Sequence, residues 1–316
     1  MPPSRRVYSL LCLVLQNAGL ILLTKYSFRS SAAVYSKASV VLFSEILKLA
    51  SCFCMELHYS RYSMKALRKS LRLTTGNVGM LLPATLYVVQ NVLQLLAIRG
   101  LSPTVYITGA QLKVVTSAVF SVFVLKKQLN SRQVASFFPL MSGVALVNLD
   151  STERHKAASE VYAMIYLLVA VTVSGLAGVI LELSFKSEDE SLWSKNFFLS
   201  LFSLPMASFA VFHEVGKDPA PKALAAGYDT TVILIIVFLA LGGLLSALVM
   251  KYAGTLTKCY AVAVSIVLCS VVSTLRGMQT WSYNTFGGSL LVISSVFLYA
   301  YEPKKVLNPK AIHGKG

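Results

Sequence analysis

The chain has 316 residues, of which 55% are hydrophobic and only 13% are charged, with a mean hydropathy of +0.66. Soluble domains carry about 25% charged residues, so this composition indicates a membrane protein with several spans and argues against a soluble domain. The net charge of +16 comes from basic residues that lie between apolar segments, outside any single patch or tail, which argues against a nucleic-acid partner.

Ten segments are long and apolar enough to cross a bilayer, which takes about 20 residues. In chain order they are 7–23, 32–56, 78–98, 104–125, 133–149, 160–184, 196–213, 230–252, 256–275 and 284–301. The first follows a basic N-terminus but lacks a clear small-residue cleavage site, so we interpret it as a retained membrane helix. With ten spans, 18 basic residues lie on the side of the N-terminus and 9 on the other side. The positive-inside rule therefore predicts that both termini are cytosolic.

The two halves of the chain resemble each other weakly. A shift of 152 residues aligns the segment that contains Lys113 with the segment that contains Lys258, and places Lys113 on Ser265. An offset of five helices predicts that the halves cross the membrane in opposite directions, as in secondary transporters. We predict an all-α integral membrane protein with ten transmembrane helices in two inverted five-helix repeats. The repeats, 1–150 and 151–316, would form one integrated transporter domain.

Lys113 lies near the middle of the fourth predicted span, where a charge is energetically unfavourable. Its neighbours on the same helical face are aromatic, small or hydroxylic: Tyr106, Gly109, Ala110, Thr116 and Ser117. Such a face suits a polar cavity. The alternative is a structural ion pair with Glu45, although Lys48 lies only three residues from Glu45 on the same predicted helix.

Lys258 lies in the first turns of the span 256–275. As an isolated residue it is explained by a lysine that extends toward the membrane surface. Together with Lys113 it would instead suit an anionic substrate that carries phosphate groups, because lysine is a compact point charge that binds phosphate.

Two further spans carry polar stripes. Tyr87, Asn91 and Gln94 share one face of the third span, and either line a cavity or form hydrogen bonds between helices. In the sixth span, Gly178 is interpreted as a packing residue and Glu182 as an ion-pair partner or part of a gate.

Signatures of other classes are missing from the sequence. It contains no GxSxG, HExxH or GxxxxGK[ST] motif, and only Cys54 has a histidine nearby, His58. We therefore predict neither an enzyme nor a metal site or cofactor. A lipid-modifying enzyme would require an acid/base cluster at one interface, and a scaffold would have no reason to keep a charge within a span.

Several motifs together resemble the nucleotide-sugar transporter family of the drug/metabolite transporter superfamily. They are QNAGLILLTKYS, SEILKLASC, PATLYVVQN, QLKVVTSAVFSVFVLKKQL, SGLAGVILE, SLWSKN, GGLLSALVMKYAGTLTK and SIVLCSVVS. The resemblance covers nearly the whole chain. It is to the group that carries UDP-galactose, UDP-N-acetylglucosamine and CMP-sialic acid.

The resemblance implies roles for individual residues. Lys113 and Lys258 would bind the nucleotide phosphates, and the remaining contacts would come from Tyr106 (nucleoside), Ser174, Gly175 and Asn196 (base), and Tyr87 and Asn91 (central cavity). Glu45, Glu182 and Ser265 are left as gating or structural polar residues. The sequence departs from the family pattern at Gly109, Ala110 and Val92, which affects the expected sugar and ribose contacts.

The implied activity is exchange of a cytosolic UDP-sugar, UDP-galactose and/or UDP-N-acetylglucosamine, for lumenal UMP in the Golgi membrane. The endoplasmic reticulum is the alternative location. Ser200 stands where CMP-sialate carriers have a tyrosine and UDP-sugar carriers a small residue, which favours the UDP-sugars. The alternatives are a CMP-sialic acid/CMP antiporter or a carrier of another phosphorylated organic anion. Membrane lipids surround the fold, and homodimerisation is left open.

Overall fold

A computed structural model describes residues 3–29, 35–101, 106, 109–147, 160–187, 190–215, 224, 227–276 and 282–300. These residues form helices or the turns and irregular segments between them, and none of them forms a strand. An α-helix satisfies its own backbone hydrogen bonds, which is what the interior of a bilayer demands of a segment that crosses it. The predicted all-α integral membrane class is confirmed at this level.

Thirteen helices have described bounds. They are α1 (Pro3–Arg29), α2 (Lys37–Tyr59), α3 (Met64–Ser70), α4 (Thr75–Val78), α5 (Leu81–Gly100), α6 (Leu112–Leu125), α7 (Ser131–Ala135), α8 (Phe137–Val147), α9 (Glu160–Lys186), α10 (Leu192–Val215), α11 (Thr230–Tyr252), α12 (Thr255–Leu275) and α13 (Tyr283–Ala300). Six of them, α1, α2, α9, α10, α11 and α12, are long and apolar enough to cross a membrane. In addition, α6 and α13 contain shorter apolar helices.

Each of the ten predicted spans overlaps at least one of these helices, although two differ from the expectation in form. The segment 133–149 divides into α7 and α8 at Ser136. Pro139 explains the division, because it has no N–H to donate to the carbonyl of Ala135. Of the predicted span 104–125, α6 covers only the part from Leu112, and residues 102–105, 107 and 108 lie outside the described part. The number of membrane crossings stays a prediction.

The packing of the helices follows a two-fold pattern. Helix α1 packs against α11 and α12, while α9 packs against α5 and α6. Likewise α2 packs against α10 and α11, and α5 packs against α10. If α1, α2, α5, α6 and α8 are exchanged in order with α9 to α13, the pair of α2 and α10 maps onto itself and every other pair becomes another observed pair. Most of the extensive contacts therefore join a helix before residue 150 to a helix after it.

The apolar side chains divide between the interior and the outer surface. One buried cluster joins α6, α8, α12 and α13 through residues that include Val114, Leu140 and Leu256. By contrast, Phe123, Phe209 and Phe297 on α6, α10 and α13 expose 77%, 68% and 72% of their surfaces. Exposed apolar surface on this scale is typical of a protein surrounded by lipid.

Candidate functional site

Three lysines from three helices interact electrostatically in the interior. Lys113 is the second residue of α6, Lys258 is the fourth residue of α12, and both are half-buried. Lys258 lies within electrostatic range of Lys113 and of Lys48 on α2. These three residues, called the three-lysine cluster below, concentrate positive charge between helices from both halves of the chain.

Glu45 forms an ion pair with Lys48 and not with Lys113. The Lys48 Nζ and the Glu45 Oε1 are 2.7 Å apart, and the two side chains are only 12% and 17% exposed. Gly243 of α11 leaves room for this pair, since a Cβ there would lie 2.8 Å from the Lys48 Cδ. The expectation that Lys48 is the nearer partner of Glu45 is confirmed.

Lys113 and Lys258 have no such partner among the residues that the structure describes. None of the ion pairs found there includes either lysine. Both lysines lie in the first turn of their helices, on α6 and α12. The arrangement can therefore bind negatively charged groups.

Tyr87 belongs to the surroundings of the cluster. Its hydroxyl on α5 lies within electrostatic range of Cys259, the residue next to Lys258. Cys259 in turn lies near Ser117 and within electrostatic range of Lys113. Asn91, one turn beyond Tyr87, is exposed. The structure thus places Tyr87 near Cys259, while no described contact links Tyr87 or Asn91 to the lysines directly.

The residues assigned to the nucleoside and base have other contacts in this conformation. Tyr106 packs beside a buried cluster that includes Leu167 and Val171 of α9. Gly175 faces α6, where a Cβ would lie 2.8 Å from the Ser117 backbone N. Ser174, beside Gly175, is half-buried. Gly175 is therefore a point of close helix packing.

Asn196 and Ser265 are buried and form hydrogen bonds within their own helices. The Asn196 Nδ2 donates to the Leu192 carbonyl at 3.0 Å, and the Ser265 hydroxyl donates to the Ala261 carbonyl at 2.9 Å. These bonds satisfy at least one polar atom of each side chain. A role of either residue in binding or gating stays a prediction.

Glu182 is the centre of a second charged group. It is fully buried, and its Oε1 lies 2.6 Å from the Nζ atoms of both Lys127 and Lys186. Its Oε2 accepts a hydrogen bond of 2.7 Å from the Thr255 backbone N–H. Of the two interpretations of Glu182, the structure shows the ion-pair partner, and a part in gating stays a prediction. The sequence reasoning missed Lys127 and Thr255, although Lys186, four residues along the same helix, could have been identified from its spacing.

A further buried polar network, which the sequence reasoning also missed, joins α2 to the start of α10. Glu56 accepts hydrogen bonds from the hydroxyls of Ser70 and Ser191. Asn77, also buried, donates to the carbonyls of Ser70 and Arg72 at 3.2 and 2.8 Å. These bonds fix the segment between α3 and α4.

Comparisons with known proteins agree with one another. A family profile described as nucleotide-sugar transporter matches residues 4–300. The human UDP-N-acetylglucosamine transporter is 33% identical over 315 residues, which cover 95% of this chain and 97% of that protein. The UDP-galactose transporter of Schizosaccharomyces pombe is 32% identical, over 94% of this chain and 88% of its own.

A UDP-galactose/UDP-N-acetylglucosamine transporter of Caenorhabditis elegans is 31% identical, over 92% of this chain and 81% of that protein. A solved crystal structure shares the fold with a TM-score of 0.72 at 12% identity, over 94% of this chain and 97% of its own. The match of the profile to nearly the whole chain is decisive, since it does not depend on any single motif. The chain belongs to the nucleotide-sugar transporter family.

Proposed function

We propose that the protein exchanges a cytosolic UDP-sugar, UDP-galactose and/or UDP-N-acetylglucosamine, for lumenal UMP across the Golgi membrane. Ten spans in two inverted repeats, with both termini cytosolic, would carry out this exchange by alternating access. The two-fold pattern of helix packing supports the repeats, because corresponding helices have corresponding neighbours. The two-to-one excess of basic residues supports the orientation.

The observation that carries the proposal is the three-lysine cluster. With all groups ionised, its three ammonium groups and the one carboxylate of Glu45 leave a net charge of +2. A nucleoside monophosphate carries about two negative charges near neutral pH, and the two bridged phosphates of a nucleotide sugar carry about as many. Either ligand would neutralise the site. We therefore assign the phosphates to Lys113 and Lys258.

The same charge balance favours exchange over uniport. Reorienting an empty site would move uncompensated positive charge through a low-dielectric interior, which is unfavourable. A bound anion removes most of that penalty in both directions of transport. The loaded carrier would therefore change conformation readily, and the empty carrier would not.

Tyr87, which lies near the Cys259 that follows Lys258, is proposed to line the cavity together with Asn91. Tyr106 would contact the nucleoside, and Ser174, Gly175 and Asn196 would hold the base in the substrate-bound conformation. The names of the relatives, which are UDP-sugar transporters, support uracil as the base. The small side chain of Ser200 supports it as well.

Reconstitution into liposomes tests the proposal. Vesicles are preloaded with UMP, CMP or GMP, and the uptake of labelled UDP-galactose, UDP-N-acetylglucosamine, CMP-sialate and GDP-mannose is measured. We expect UDP-sugar uptake into UMP-loaded vesicles only. Uptake of CMP-sialate into CMP-loaded vesicles alone would overturn the choice of base and favour the CMP-sialate antiporter. Imaging of the tagged protein against Golgi and endoplasmic reticulum markers tests the location.

A further inference from the structure

Helix α12 begins without a capping side chain of its own. Its N-cap residue is Gly254, which has no side chain and has a φ of +89°. The first N–H of the helix, on Thr255, instead donates to the Oε2 of Glu182 at 2.7 Å. Since carboxylates are favourable at helix N-termini, Glu182 of α9 acts as the cap for α12.

A second contact fixes the same point on α12. The Thr255 hydroxyl donates to the Gly178 carbonyl at 2.9 Å. A Cβ at Gly178 would lie 2.9 Å from the Thr255 Cγ2, so the absence of a side chain there permits the close approach. One turn of α9, from Gly178 to Glu182, therefore holds both the backbone and the side chain of Thr255.

Lys258 follows Thr255 by three residues, or about 4.5 Å along the helix axis. The Lys258 N–H donates to the Gly254 carbonyl at 3.2 Å and closes the first turn. A displacement of Thr255 would therefore be passed directly to Lys258.

Two neighbouring lysines balance the negative charge of Glu182. A buried lone carboxylate would be strongly unfavourable, but Lys127 and Lys186 each approach the Oε1 at 2.6 Å. Gly254 leaves space for this group, because a Cβ there would lie 2.9 Å from the Oε1 and 3.1 Å from the Lys127 Nζ. The cap is thus an ionised group held between two lysines.

Helix α9 also contacts α6 beside Lys113. The Thr116 hydroxyl, one turn after Lys113, donates to the Val171 carbonyl of α9 at 2.8 Å. Gly175 packs against the backbone of α6 at the same level. Gly175 and Glu182 are seven residues apart on α9, or about 10.5 Å. Helix α9 therefore contacts both α6 next to Lys113 and α12 next to Lys258, and so positions both lysines.

We infer that Glu182 is a positioning residue for Lys258: by capping α12 from α9, it sets the distance between Lys258 and Lys113 to fit the phosphates of the substrate. The inference rests on the proposed function, because it takes the two lysines as the phosphate ligands. The spacing of bridged phosphates is fixed by their covalent bonds. Displacement of one lysine by about 1 Å would therefore weaken binding sharply.

The test compares a ligand that has a phosphate with one that lacks it. Dissociation constants for UMP and uridine are measured on the full-length protein in detergent, for the wild type and for Glu182→Ala, Glu182→Asp and Lys258→Ala. We expect Glu182→Ala to weaken UMP binding by about tenfold and to leave uridine binding unchanged. Glu182→Asp, which keeps the charge on a shorter side chain, should recover part of the loss. Lys258→Ala should weaken UMP binding at least as much.

Asn77→Ala on α4 is the matched control, because it removes a fully buried polar side chain that donates two hydrogen bonds. It is expected to lower thermal stability without changing the ratio of UMP to uridine affinity. If Glu182→Ala does not fold, Gly178→Ala replaces it, since the added Cβ displaces Thr255 and leaves the carboxylate in place. Gly287→Ala is then the control, because nothing lies within 4 Å of the added Cβ.

The outcomes separate the inference from the function on which it rests. Equal weakening of UMP and uridine binding in the Glu182 or Gly178 variants would show a merely structural role and overturn the inference. Unchanged UMP binding in those variants, with loss in Lys258→Ala, would overturn it and leave the proposed function intact. Unchanged UMP binding in Lys258→Ala would overturn the phosphate assignment and the inference together.

Discussion

Replacement of Lys258 by glutamine removes one charge from the three-lysine cluster and keeps most of the side-chain volume. A hydrogen bond to a charged group contributes about 1.5–3 kcal/mol. The affinity for UMP should therefore fall about 10- to 150-fold, at 1.4 kcal/mol for each factor of ten. The stability of the unliganded protein should not fall, because Lys48 and Lys113 repel the ammonium group that has been removed.

Two measurements on the same preparation check this prediction. Competition binding gives the affinity for UMP, and thermal unfolding in detergent without ligand gives the stability. Lys65→Gln, at an exposed lysine on α3, is the control for the loss of one positive charge. If Lys258→Gln bound UMP with the affinity of the wild type, or if the unliganded variant unfolded much more readily than Lys65→Gln, the reasoning would be refuted. The second result would point to a structural ion pair in place of a ligand site.

Three other changes test neighbouring parts of the structure. Glu45→Gln raises the net charge of the site from +2 to +3. The affinity for UMP at low salt should therefore rise several-fold, while the rate of exchange should fall. An unchanged affinity in binding assays would contradict the charge balance. Gly143→Ala forces a Cβ to within 2.7 Å of the backbone of α13 and should reduce unfolding stability by about 1–3 kcal/mol, while Gly287→Ala should not reduce it. Gln16→Met removes a hydrogen bond of 2.7 Å to a carbonyl of α11, and the free energy of unfolding in the same assay should fall by about 0.6 kcal/mol. A fall of more than about 3 kcal/mol would contradict the view that this hydrogen bond acts alone.

Interactions between residues close in sequence could be predicted from the spacing of those residues along a helix. The pair of Glu45 and Lys48 was expected because residues three apart share a helical face. The division between α7 and α8 could also have been expected from Pro139, since its missing N–H is a property of the residue itself. Lys127 could not be connected with Glu182 in the same way, because the two are 55 residues apart and meet only through the packing of α6 against α9.

Residues whose role depends on neighbouring helices were harder to interpret. Gly175 was connected with the base through the resemblance, whereas in the structure it lies against the backbone of α6. From the sequence, Asn196 and Ser265 were interpreted as polar side chains free to contact a ligand or form a gate. In the structure each side chain donates a hydrogen bond to a carbonyl of its own helix. That carbonyl competes with other partners for the side chain, and the sequence alone does not show which partner is bound. Apolar periodicity identifies helices in a membrane protein, but every helix there has an apolar face, and so it does not identify which helices are neighbours.

The interleaved packing of the two halves has a consequence for biosynthesis. The principal neighbours of α1 are α11 and α12, which begin about 200 residues after α1 ends. At 5–20 residues per second, translation takes roughly 10–40 s to cover that distance. During this interval α1 can persist as a hydrogen-bonded helix in lipid, but the faces that it later buries have no partner. The nascent first half is therefore the stage at which the chain is most open to mispairing and to recognition by membrane quality control.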